Sequence, residues 1–209
     1  MAVSSATKGL STVRSSGRGT SAIHYLLVGG TCGLAWAAGL RGFMTQIVVE
    51  DGSTVTWTGT FGWVLAPGVG TGLLLGWAAY LVTVGGTPRA RWLVFAPFLF
   101  AALLAPPILR LDFEGFLADG IGGGTIGVPV VAVLGAYAIA GARLWGRILC
   151  GLLALSPIPV WALTAEAIGG TSLGLDEPLG LWVALYYWSF LAVLMLGCSI
   201  PLHIRPKTD

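Results

Sequence analysis

The sequence predicts an all-α integral membrane protein with six transmembrane helices arranged in three antiparallel hairpins. Three observations lead to this fold class: a composition poor in charge, long apolar segments, and a regular alternation of basic and acidic connections. Of the 209 residues, 56% are hydrophobic and 10% are charged, whereas a soluble domain has roughly 25% charged residues. So little charge cannot cover a surface that faces water, and the lipid bilayer is therefore the predicted environment.

The helices are predicted from the length of the apolar segments. A hydrocarbon core of about 30 Å requires roughly 20 apolar residues in a helix, and helices satisfy their own backbone groups in lipid. Six segments meet this requirement: 22–43, 61–84, 91–109, 124–142, 147–165 and 179–202. Residues 22–203 form the predicted transmembrane domain, between a disordered basic cytoplasmic tail (1–21) and a short cytoplasmic tail (204–209).

The charged residues predict how the chain is threaded through the membrane. Basic residues fall in the N-terminal tail, in two alternate connections and in the C-terminal tail, which the positive-inside rule places in the cytoplasm. The other connections carry the acidic residues Glu50, Asp51, Asp112, Glu114, Asp119, Glu166, Asp176 and Glu177. Both termini are thus predicted to be cytoplasmic. The short loops and the lack of a targeting segment favour a prokaryotic plasma membrane.

Small residues at four-residue spacing predict where helices touch. Gly29, Gly33 and Ala37 follow this spacing in the first span, and Gly72 and Gly76 repeat it in the second. Small residues one turn apart allow two backbones to approach closely. Contact within the chain is the favoured interpretation, and self-association between copies is the alternative.

The fifth span contains the sequence SPIP, Ser156 to Pro159, near its middle. Proline lacks the N–H that continues a helix, so a kink is predicted there. Broken helices near the membrane midplane often mark binding sites in transporters. The alternative is that neighbouring groups satisfy the freed carbonyls and the prolines only shape the bundle. The tryptophans, among them Trp36 and Trp161, fall mostly near span ends and are interpreted as interfacial.

Motifs for catalysis or for cofactor binding are not found in the sequence. The two histidines, His24 and His203, lie at the predicted cytoplasmic ends of the first and last spans, which disfavours a haem held between them. The three cysteines are widely spaced, without a CxxC pair. No cofactor, no metal site and no catalytic residue is predicted. A net charge of +2, without a basic aromatic cluster, argues against binding of nucleic acid.

A layer of charge at the predicted outer ends of the helices gives the candidate ligand-binding site. Arg41 and Arg110 are the only basic residues on that side, and each closes a rising helix, where the helix dipole favours a cation. The two arginines can bind a phosphate or a carboxylate, and Asp112, Glu114 and Glu166 complete the predicted site. The alternative is that these residues form structural salt bridges between helix ends.

Three functions follow from this organisation. The first is a non-enzymatic membrane protein that binds or moves a small or lipidic ligand, or binds a partner, through its extracytoplasmic side. The second is a membrane-embedded enzyme that acts on an anionic lipid headgroup at the outer leaflet. The third is a structural subunit, which associates with another membrane protein or with copies of itself.

Overall fold

The structure, a computed structural model, describes residues 21–47, 55–102 and 121–204. All regular secondary structure in these residues is helical. The α-helices of the described residues are α1 (Ala22–Ile47), α2 (Ala66–Val84), α3 (Leu99–Ala102), α4 (Ile121–Ala140), α5 (Leu144–Ala154), α6 (Pro157–Gly169) and α7 (Pro178–Ser199). A π-helical segment (Trp57–Leu65) leads into α2, and 3-10 helices cover Pro88–Phe98, Thr171–Leu173 and Ile200–His203.

Four helical stretches in the described residues are long and apolar enough to cross a membrane: Ala22–Ile47, Trp57–Val84, Leu144–Gly169 and Pro178–His203. A further apolar helix, Gly124–Ala140, is shorter. The predicted third span (91–109) begins as a 3-10 helix, and its last part lies outside the described residues. The all-helical character is as predicted, and the long apolar helices suggest an integral membrane protein. The count of six spans and their pairing in hairpins stay predictions.

Helices α1 and α2 meet along a seam of glycines. A Cβ atom built on Gly29 would lie 2.8 Å from the Cα of Gly76, and one built on Gly33 would lie 2.9 Å from the Cα of Gly72. Carbon atoms in contact are normally about 3.5–4.0 Å apart, so only glycine fits at these positions. The early residue of α1 meets the late residue of α2, so the two helices are antiparallel. The predicted contact within the chain is confirmed.

Helix α7 packs along another side of α1 and is joined to it by two hydrogen bonds. The Trp36 indole N–H donates to the carbonyl oxygen of Phe190 (2.8 Å), and the Tyr186 hydroxyl donates to that of Gly39 (2.7 Å). Trp36 therefore lies between helices, and Trp161 is only 8% exposed. Both tryptophans contact neighbouring helices, and their interfacial level in the membrane stays a prediction.

The described arginines other than Arg41 gather at one end of the bundle. Arg91 donates to the carbonyl oxygen of Ile204 from Nε (3.2 Å) and Nη2 (3.1 Å), and Arg147 Nε donates to that of Ala138 (2.9 Å). A Cβ on Gly135 of α4 would collide with Met195 of α7, so these two helices also end side by side. We call this the basic end, defined by Arg89, Arg91, Arg143 and Arg147.

Acidic side chains lie at the opposite end. Glu166 is three residues from the end of α6, and Asp176 and Glu177 directly precede α7. A Cβ on Gly174 would lie 2.9 Å from Glu166 Oε1 and 2.6 Å from Asp176 Oδ1, so these carboxylates converge on the same loop. We call this the acidic end. The described charges are thus separated along the helix axes, with Arg41 as the exception.

Candidate ligand-binding site

The predicted charged constellation is described only in part. Arg110, Asp112 and Glu114 lie outside the described residues. Arg41 donates from Nε to the Thr60 hydroxyl oxygen (3.3 Å), which ties α1 to the π-helical segment. Glu166 is exposed and faces the Gly174 loop, and the described residues show no ion pair between it and Arg41. The anion-binding role of these five residues stays a prediction.

The helix of the fifth predicted span is interrupted at the predicted prolines, and the kink there stays a prediction. Helix α5 ends at Ala154, and α6 begins at Pro157, near the middle of the Leu144–Gly169 stretch. Pro157 has no N–H to donate to the Leu153 carbonyl oxygen. Ser156 replaces that donor twice, from its backbone N–H (3.1 Å) and from its hydroxyl (2.7 Å). The freed carbonyl is therefore satisfied locally, and the break does not leave this acceptor for a ligand.

A cavity of about 250 Å³ lies between α6 and α7, beside this break. Its rim includes Leu181 and Leu185, which are 50% and 57% exposed on the outer surface of the bundle. Its interior includes Trp161, which is 8% exposed. The cavity therefore opens sideways from the bundle, towards the surface that lipid would cover. Its walls are formed by Pro157, Ile158, Trp161, Leu175, Leu181, Ala184, Leu185, Tyr187 and Trp188.

Trp161, one of the residues that line this cavity, carries an unusual polar group, its indole N–H. Its nitrogen is buried and has no hydrogen-bond partner among the described residues. A buried indole usually finds an acceptor, as Trp36 does at the Phe190 carbonyl. Leaving such a donor unpaired costs about 1–3 kcal/mol.

Aromatic neighbours hold the Trp161 ring in place. Its centroid lies 5.5 Å from that of Tyr187 and 5.8 Å from that of Phe43, while Phe43 and Tyr187 stack at 5.1 Å. These three rings come from α6, α7 and α1, so three helices fix one cavity wall. Aromatic contacts of this kind stabilise by about 0.5–1.5 kcal/mol each. The Trp161 ring is therefore held rigidly in the wall of the cavity.

Sequence reasoning predicted the helix break but missed the cavity beside it. Trp161 follows Pro157 by four residues, which places both on the same face of α6. This pairing of a break with a polar aromatic side chain one turn later was the available signal. What the spacing could not supply was the helix across from it, because that depends on how α7 packs.

The comparisons with known proteins are negative: no family model, no curated protein and no solved structure was found to match the chain. A family assignment therefore cannot supply a function for this protein.

Proposed function

We propose that the protein is an integral membrane protein that binds an uncharged, largely apolar ligand in the cavity between α6 and α7. The observation that carries the proposal is the buried and unpaired indole N–H of Trp161, a residue that lines this largely apolar cavity. A ligand that supplies a carbonyl-type oxygen satisfies this donor, and its apolar part covers the leucine-lined rim. This is the ligand-binding function that the sequence favours, with the site moved from the charged layer to the cavity.

The cavity walls narrow the chemistry of the ligand. They contain no Lys, Arg or His among the described residues, and a charged acceptor would be poorly solvated there. The volume of about 250 Å³ is below the roughly 300–1,000 Å³ of common small-molecule sites. The rings of Trp161, Tyr187 and Trp188 offer flat surfaces for stacking. A neutral planar ring with a carbonyl group, carried on an apolar tail, meets all three conditions.

The orientation in the membrane completes the proposal. We place the basic end in the cytoplasm. The chain then crosses a prokaryotic plasma membrane six times, in three hairpins, and both termini are cytoplasmic. Trp161 is eight residues from Gly169, or about 12 Å along the helix, so the cavity lies in the extracytoplasmic half. A cysteine at Ala142 should react with an impermeant maleimide only from the cytoplasm, and one at Thr171 only from outside. The reverse labelling pattern would show that the topology is opposite to the proposed one.

The Trp161→Phe substitution tests the binding site, because it removes the N–H and keeps an aromatic ring. Two probes are compared in lipid nanodiscs: decyl-1,4-benzoquinone, which has carbonyl acceptors, and decylbenzene, which has none. One hydrogen bond is typically worth about 0.5–1.5 kcal/mol, so the dissociation constant of the quinone should rise about two- to twelvefold. The dissociation constant of decylbenzene should change much less. Equilibrium partitioning of radiolabelled probes provides the measurement.

The matched control is Trp145→Phe. Trp145 is 83% exposed and does not line the cavity, so neither dissociation constant should change. If Trp161→Phe loses affinity equally for both probes, the indole N–H does not form the hydrogen bond that holds the quinone. Quinone binding that survives unchanged in this variant would refute the proposed site.

The two alternative functions have distinct signatures. Among the described residues, those that line the cavity include no carboxylate and no histidine, which favours binding over acid–base catalysis at this place. Turnover of an anionic lipid by the purified protein would instead support the enzyme that acts through Arg41 and its predicted acidic neighbours. Stable co-purification with another membrane protein would support the structural subunit.

A further inference from the structure

A second concave surface lies at the basic end, far from the cavity between α6 and α7. It has a volume of about 890 Å³ and runs between the end of α2 and the 3-10 helix Pro88–Phe98. We call it the Arg89 groove. Its lining residues are Trp77, Leu81, Gly85, Gly86, Thr87, Pro88, Arg89, Ala90, Trp92 and Leu93.

The Arg89 groove is apolar along one part and polar along another. Trp77, Leu81 and Leu93 give it a hydrocarbon wall, whereas Thr87 and Arg89 lie in and beside the turn that closes it. Trp92 is 73% exposed and has its ring centroid 5.3 Å from that of Phe95. A tryptophan at such a boundary is typical of the level of the lipid headgroups.

The two arginines of this segment have different roles. The Arg91 guanidinium already has a partner, because it donates twice to the Ile204 carbonyl oxygen. It thereby joins the 3-10 helix Pro88–Phe98 to the residue that follows the 3-10 helix Ile200–His203. The Arg89 side chain is exposed and makes no hydrogen bond or ion pair to any residue that the structure describes. Its guanidinium group can therefore bind an anion without breaking a contact inside the protein.

We infer that the Arg89 groove binds one anionic phospholipid of the leaflet at the basic end. Arg89 pairs with the phosphate, for which the guanidinium fork is well suited, and an acyl chain lies along Trp77, Leu81 and Leu93. Charge complementarity selects this occupant, because a lipid with net negative charge gains from the basic end as a whole. Free phosphate would leave the apolar wall unused.

Native mass spectrometry of the intact protein, released from mild detergent, tests this inference. Phosphatidylglycerol and phosphatidylcholine are added separately, and the retained lipid is measured for the wild type, Arg89→Gln and Arg143→Gln. One basic residue near an anionic surface is worth about fivefold in affinity. We expect Arg89→Gln to weaken phosphatidylglycerol binding about fivefold, and Arg143→Gln to leave it within about twofold. Arg143 is the matched control, since it is exposed at the same end and outside the groove.

Three outcomes would overturn the inference. Equal losses in the two variants would show a diffuse effect of charge without a site. Equal retention of phosphatidylcholine and phosphatidylglycerol in the wild type would show that net lipid charge is not recognised. Displacement of phosphatidylglycerol by an equimolar amount of inorganic phosphate would show a phosphate site that does not require a lipid. Because Arg89 is exposed, Arg89→Gln should melt at the wild-type temperature, so that a binding loss is not a folding loss.

Discussion

The Gly72→Ala substitution is expected to prevent α1 and α2 from packing and to remove most of the folded protein. The new methyl carbon would lie 2.8 Å from the Cα of Gly33 and closer still to the carbonyl oxygen of Gly29. Both obstacles are backbone atoms, so no side-chain rotation relieves the clash. Overpacking of a core typically costs 1–3 kcal/mol and more when backbones must move, and we expect about 3 kcal/mol or more here. Unfolding by SDS in mixed micelles measures the loss.

Gly127→Ala is the matched control for this substitution. Gly127 also lies inside a helix, but a Cβ there meets no atom within 4 Å. Alanine favours a helix over glycine by about 1 kcal/mol, so this variant should be as stable as the wild type or slightly more stable. If Gly72→Ala were equally stable, the close approach of α1 and α2 would be wrong.

The seam shows what could be predicted from the sequence about packing. Residues four apart share one face of a helix, so Gly29 and Gly33 in one span and Gly72 and Gly76 in the next marked two smooth faces. Helix boundaries were less accessible. The second span was predicted to begin at residue 61, yet the helix begins at Trp57, where Thr56 caps it by accepting a hydrogen bond from the Gly59 N–H (3.0 Å). Polar residues at a helix start lower the local hydropathy and conceal that boundary.

The candidate site was harder to predict for a physical reason. Charged residues can be read directly from a sequence, so Arg41 and Glu166 could be predicted as site residues. A cavity, in contrast, exists only once helices are packed. The break at Pro157 was predictable from proline chemistry. The burial of Trp161 was not, since indole rings are equally suited to a membrane interface and to a helix–helix contact. The unpaired N–H depends on which atoms α7 and α1 place around it.

The Phe43→Ala substitution has the second largest expected effect, because Phe43 is the centre of the aromatic cluster that joins α1, α6 and α7. The ring is 6% exposed, and its centroid lies within 6.3 Å of those of Trp161, Tyr186, Tyr187 and Phe190. Removing a buried phenylalanine ring typically costs 3–5 kcal/mol. Lipid is as apolar as the ring, so burial itself contributes little in a membrane and the loss is one of packing. We therefore expect about 3 kcal/mol, measured by the same SDS unfolding.

The Phe43→Ala variant also tests the support of the ligand site. Without Phe43, the Trp161 ring can adopt more orientations, so the decyl-1,4-benzoquinone probe should bind more weakly. Binding is measured without SDS, at a temperature at which the variant stays folded. Phe61→Ala is the matched control: it is 44% exposed, and its ring stacks on that of Trp57, away from the cluster. Its stability should fall by less than about 1 kcal/mol, because most of its surface is already uncovered. Equal destabilisation by the two substitutions would contradict the central role of Phe43. If the Phe43→Ala protein binds the quinone as tightly as the wild type, the aromatic cluster does not support ligand binding in the cavity.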